Sequence, residues 1–86
     1  MKTVTLYVRR NCGLCRLARE VVSRVREQHP FVFEERDVDR DLAQEDPRKS
    51  PYALDIPVIE LDGEVVFKHE VSAEALARLV SGTGDA

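Results

Sequence analysis

The sequence is poor in the residues that mark most specialised protein classes. Among its 86 residues are two cysteines, four glycines, four prolines, two tyrosines, three phenylalanines and no tryptophan. Two thiols cannot make a multi-bridge scaffold, and a structural zinc site needs four ligands. Only His29 and His69 could join the cysteines, and they lack the close spacing of a histidine ligand pair. No apolar run approaches the roughly 20 residues that span a bilayer. No charged leader with an apolar core and a small-residue cleavage site follows Met1-Lys2. No nucleic-acid or membrane partner is expected, because the formal net charge is only −3 and no long basic tract exists. Repeats and low-complexity stretches are missing too. With 43% hydrophobic and 34% charged residues, the chain reads as one globular domain over residues 1–86. The cytoplasm is the expected compartment, where a lone cysteine pair serves catalysis, redox sensing or metal binding more often than stapling.

What is present is Cys12-Gly13-Leu14-Cys15, placed between a short apolar segment and an amphipathic one. Two thiols one helical turn apart at a helix N-terminus suit reversible disulfide chemistry. The free N–H groups of the first turn and the helix dipole stabilise a thiolate over a thiol. Cys-x-x-Cys in a strand-then-helix context is the signature of a thioredoxin-like redox motif. Arg9, Arg10, Arg16 and Arg19 cluster near it, while acidic residues dominate from Glu34 to Asp46. Arg9, Arg10 and Arg16 are therefore candidate cationic neighbours of the thiolate.

Thr3–Val8 is β-branched and aromatic, which predicts a buried strand. Leu14, Leu17, Ala18, Val21, Val22 and Val25 recur at helical spacing and predict a helix from Cys12 to Gln28 with one apolar stripe. His29-Pro30 ends it, since the residue before proline is pushed out of helical geometry. Phe31–Val38 reads as the second strand. Asp39 is placed to cap a short helix over Arg40–Glu45, and Asp46–Pro51 is a polar connection. Tyr52-Ala53-Leu54 forms a partial turn. Val58–Leu61 and Glu64–Lys68 are strands joined by Asp62-Gly63, a strong hairpin signal. Ser72 caps a last helix, Ala73–Val80, which ends at Ser81-Gly82-Thr83-Gly84.

The element order is β-α-β-α-β-β-α. The first two strands, joined through a helix, are expected to be parallel. With Cys12-Gly-Leu-Cys15 after the first strand and Ile56-Pro57-Val58 opening the third, the chain resembles the glutaredoxin and thioredoxin family over nearly its whole length. Small bacterial glutaredoxin-like proteins share this pattern and its Asp-Gly hairpin. The resemblance implies an α/β, thioredoxin-like three-layer sandwich, a mixed four-stranded sheet with helices on both faces. It implies that Cys12 is the nucleophile and Cys15 the resolving thiol. It also implies that the Ile56-Pro57 peptide is cis and faces the cysteine pair, leaving the Ile56 backbone to pair with an extended substrate. Arg10 and Tyr52 are further candidates for the substrate side of the cleft.

Two departures from standard glutaredoxins matter. Lys68-His69-Glu70 stands where a Gly-Gly pair usually admits glutathione, so glutathione is expected at most as a weak co-substrate. Gly13-Leu14 replaces the usual dipeptide between the cysteines. The expected activity is thiol–disulfide exchange on protein or small-molecule disulfides, by a monomer, with no tightly bound cofactor and with an external thiol reductant. The rivals are a redox-sensing or partner-binding adaptor, and a metal or iron–sulfur carrier.

Overall fold

The first strand, β1 (Thr3–Val8), organises the chain. The computed structural model describes residues 1–42 and 52–82. β1 occupies the interior of a four-stranded sheet in the order β2-β1-β3-β4. It runs parallel to β2 (Val32–Asp37) and antiparallel to β3 (Val58–Leu61). β4 (Glu64–Lys68) returns antiparallel to β3, with an irregularity between Ile59 and Glu60. Val4 to Val8 are all buried, because both faces of this strand are covered, which is why it reads as an apolar run broken only by Thr5.

On one face, Val4, Leu6, Val8 and Ile59 pack against Cys15, Ala18, Val22 and Val25 of α1 (Gly13–Gln28). Leu76 of the C-terminal helix (Ala73–Ser81) completes this core. Burying an aliphatic side chain of this size contributes about 1.5–3 kcal/mol. On the other face, Tyr7, Val38 and Val58 form a smaller cluster, with Tyr52 and Ile56 packed against it. That face carries a π-helical turn (Val38–Leu42) and α2 (Tyr52–Asp55), so the C-terminal helix is α3. The expected thioredoxin-like layering and mixed sheet are both observed.

Local signals account for most boundaries. α1 stops at His29, whose N–H donates to the Val25 carbonyl at 2.8 Å. Ser72 caps α3 by accepting from the Ala75 N–H at 3.2 Å, and Gly82 ends it at φ 77°, a left-handed conformation that glycine adopts freely. Asp62 (φ 50°) and Gly63 (φ 91°) both have positive φ, as a tight hairpin turn requires. Asp62 also ties that turn to β1. Its carboxylate accepts from the Thr3 N–H at 2.8 Å, and its own N–H donates to the Thr3 carbonyl at 2.8 Å.

The second helix differs from expectation. The chain turns two residues earlier, at Val38, into a π-helical turn ending at Leu42. Asp39 is not its cap. Asp37 takes that role, its carboxylate accepting from the N–H groups of Asp39 and Arg40 at 2.8 and 3.1 Å. The Asp39 carboxylate is held instead by Arg9. The remainder of the predicted Arg40–Glu45 helix, and the Asp46–Pro51 connection, lie outside the described residues.

Candidate functional site

Cys12 is itself the N-cap of α1, with extended φ and ψ of −107° and 110°. Its carbonyl accepts the first helical bond, from the Arg16 N–H at 3.2 Å, and its Sγ accepts from the Cys15 N–H at 3.1 Å. The cysteine thus stands where serine or aspartate usually caps a helix. Any negative charge on this sulfur meets a backbone donor and the positive end of the helix dipole. Cys12 and Cys15 are joined as a disulfide with Cα atoms 5.2 Å apart, within the ordinary range for such a bridge. Cys15 is 2% exposed and belongs to the core, whereas Cys12 is half-buried at its margin.

The Ile56-Pro57 peptide is cis. Pro57 is buried, and Ile56 packs both against the core that contains Cys15 and against the Tyr7–Val38–Val58 cluster. The loop after β4 is pinned to this segment. His69, at φ 70°, donates its N–H to the Pro57 carbonyl at 2.8 Å and the Asp55 carbonyl at 3.2 Å. Lys68 and His69 also meet the Asp55 carboxylate at 3.3 and 3.5 Å. The sequence shows that the family's glycines are missing here. It does not show that a histidine adopts the left-handed geometry a glycine favours.

The arginines are less concentrated on the thiols than their spacing suggests. Arg9 makes a two-point pair with Asp39 at 2.9 and 3.1 Å. Arg19 makes a similar pair with Glu35 at 2.7 and 3.1 Å. Both are thereby committed to carboxylates of the neighbouring strand and turn. Arg10 is exposed and borders a small polar hollow with Asp37, Asp39 and Arg40. Arg16 is exposed in the first turn of α1.

Two features escape the sequence pattern. Leu14 and Leu17 belong to the predicted apolar stripe of α1 but are 50% and 57% exposed. With Val21, Arg24, His69 and Glu70 they line an open groove of about 460 Å³ that begins inside the cysteine motif. The stripe is therefore wider than the strip the sheet covers. The second feature is Glu60, 3% exposed in an interior strand. Its carboxylate accepts from the Tyr7 and Tyr52 hydroxyls, each at 2.8 Å. Tyr52 is thus half-buried and turned to the sheet by its hydroxyl. Burial, reinforced by the hydrogen bond and the charge of Glu60, raises the Tyr7 pKa well above the ordinary tyrosine value. The signal for Glu60 is a charge flanked by apolar residues in Val58-Ile59-Glu60-Leu61.

Among the described residues, no group of three or more histidine, cysteine, aspartate or glutamate side chains is gathered to hold a metal. An iron–sulfur cluster takes four thiolates, and the chain has two, so its own residues do not fit one. Among the described residues, no helix is long and apolar enough to cross a membrane.

Residues 3–81 match the family model described as Glutaredoxin-like domain (DUF836). The chain is 30% identical over 77 residues to the glutaredoxin-like protein YDR286C homolog of Dictyostelium discoideum, covering 85% of this chain and 69% of that protein. Among solved structures, it is similar to a thioredoxin variant from Halobacterium salinarum NRC-1, with TM-score 0.68, 26% identity, and coverage of 94% of this chain and 73% of that one. It is also similar to the structural-genomics target protein XcR50 of X. campestris, with TM-score 0.68, 27% identity, and coverage of 93% and 97%. Oxidised mitochondrial thioredoxin 3 of Saccharomyces cerevisiae shares the fold at TM-score 0.64 and 24% identity, with coverage of 92% and 76%.

Proposed function

Because the chain belongs to the glutaredoxin-like family, we propose that it is a thiol–disulfide oxidoreductase with Cys12 as attacking and Cys15 as resolving thiol. The observation that carries this is the unequal setting of two bonded sulfurs. One caps a helix at the surface with an N–H aimed at it, and the other is 2% exposed one turn deeper.

The reduced protein starts with Cys12 as thiolate. Its Sγ attacks one sulfur of a substrate disulfide, forming a mixed disulfide and expelling the other substrate sulfur as a thiolate that takes a proton from water. Cys15, once deprotonated, attacks the Cys12 sulfur. The Cys12–Cys15 bond forms, the mixed disulfide breaks, and the second substrate thiolate leaves. Two electrons have passed from the dithiol to the substrate. An external thiol reductant restores the dithiol. Ile56 and Pro57 are the elements beside which an extended substrate lies, with Arg10 at its border. No tightly bound cofactor is required, and the protein acts as a monomer in a reducing compartment such as the cytoplasm.

Protein disulfides suit this site better than glutathione does. The His69 N–H is already used by the Pro57 and Asp55 carbonyls, and side chains stand on residues 68–70, where close main-chain approach would be needed. In an exchange assay with a dithiol reductant, Cys12→Ser abolishes turnover. Cys15→Ser accumulates the mixed disulfide, visible by mass spectrometry. Iodoacetamide reacts at lower pH with the thiol left in Cys15→Ser than with the one left in Cys12→Ser. Turnover by Cys12→Ser, or the reverse order of reactivity, overturns the assignment.

A further inference from the structure

Glu60 interrupts an apolar strand with a charge, and the register decides where that charge goes. Ile59 joins the α1-side core. Glu60 points to the opposite face, between Thr5 of β1 and Val65 of β4. A carboxylate buried this deeply is tolerated only with hydrogen-bond donors on it. Tyr7 donates to Oε1 and Tyr52 to Oε2, both at 2.8 Å. The two rings meet edge to face, 5.1 Å apart at 63°.

The two tyrosines make equivalent bonds but carry different parts of the molecule. Tyr7 lies within β1, which is paired on both sides by β2 and β3. Its place is set by the sheet whether or not its hydroxyl is bonded. Tyr52 opens α2, a four-residue turn that ends at Asp55, immediately before Ile56-Pro57. So short a turn has no stability of its own. At its far end the Asp55 carboxylate meets the Lys68 and His69 side chains, both at least half exposed, and exposed pairs of this kind hold weakly. The Asp55 carbonyl takes the longer branch, 3.2 Å, of the His69 N–H bond it shares with Pro57. The Tyr52–Glu60 bond ties the turn to the sheet interior.

We infer that Glu60 and Tyr52 are positioning residues. They hold α2 so that Ile56-Pro57 is presented to substrate, whereas Tyr7 shares the same carboxylate for stability alone. The inference rests on the reading that Ile56-Pro57 borders the substrate, and it adds how that border is held from the opposite face of the sheet.

Tyr52→Phe and Tyr7→Phe each delete one hydroxyl from the same carboxylate without a change of ring. Four quantities are compared: KM and kcat for a protein disulfide, the alkylation rate of Cys12, and the urea midpoint. Both variants lower the midpoint. Tyr52→Phe raises KM about tenfold with kcat within about twofold, as loss of ground-state positioning requires. Cys12 alkylation is unchanged, since α1 and its cap are untouched. Tyr7→Phe leaves KM within about twofold of the parent. Amide hydrogen exchange gives a readout independent of turnover: Tyr52→Phe speeds exchange at Leu54–Ile56 more than Tyr7→Phe does. Equal KM values for the two variants, or equal exchange at those amides, overturn the inference. If the parent protein lacks disulfide exchange, the functional reading falls by itself, and the exchange comparison alone then decides whether the tether exists.

Discussion

The two faces of the sheet are held by different physics. Where α1 lies, Val4, Leu6, Val8 and Ile59 meet Cys15, Ala18, Val22, Val25 and Leu76, with no charged side chain in the cluster. On the other face, beside the cluster of Tyr7, Val38 and Val58, two tyrosine hydroxyls hold a buried carboxylate in place. The first arrangement rests on burial, which is roughly proportional to area and has no preferred direction. It fixes the depth of Cys15 in the core. The second rests on hydrogen bonds, which are directional and costly to leave unmade. A short turn such as α2 buries too little to be held by area, so a directed tether suits it.

This contrast is sharpest under truncation. Ile59→Ala removes a fully buried side chain from the apolar face and is expected to cost about 2–5 kcal/mol. Glu60→Gln, one residue along the same strand, removes a charge but keeps an acceptor for one tyrosine. Its expected cost is smaller, about 1–3 kcal/mol, from one hydroxyl left poorly paired. Urea denaturation of both variants checks the order. A Glu60→Gln loss exceeding that of Ile59→Ala would mean that the polar network, not the apolar core, dominates this strand.

The polar face should also respond to alkali where the apolar face does not. Tyr7 holds its proton more tightly folded than unfolded, through burial and then through its bond to Glu60. Its stabilising contribution is therefore complete below the unfolded tyrosine value of about 10 and is lost as pH rises beyond it. The ultraviolet titration component that disappears in Tyr7→Phe should come above the free-tyrosine range. A component near 10 would show that the hydroxyl is not held as described.

The smallest effect marks the edge of the apolar face. Leu17 sits in the helical stripe but is 57% exposed. Leu17→Ser should change stability by no more than about 0.5 kcal/mol, measured by thermal melting. A loss comparable to that of Ile59→Ala would place Leu17 inside the core and close the groove beside the cysteine motif.

Much of this molecule is legible because its signals are local. The β-branched run of β1, the stop at His29-Pro30, the Asp62-Gly63 turn and the Ser72 cap each act within a few residues, and each appears where its pattern places it. The cysteine motif is legible for the same reason, since its spacing and its helix start are local facts. The second helix misled because Asp37 and Asp39 are both competent caps, and the choice turned on Arg9, which takes Asp39 from 30 residues away.

By itself, the sequence determined the element order, the cysteine pair at a helix start and the family to which these belong. Only the tertiary structure decided that Leu14 and Leu17 stay exposed, that Arg9 and Arg19 turn to carboxylates, and that Glu60 joins two tyrosines. Tyr7 and Glu60 are 53 residues apart in the chain. They meet because β1 and β3 pair in one register, and a shift of one residue would send Glu60 to the other face. Propensities and caps act over a turn or two of chain, whereas burial and pairing of charge depend on what the sheet brings together.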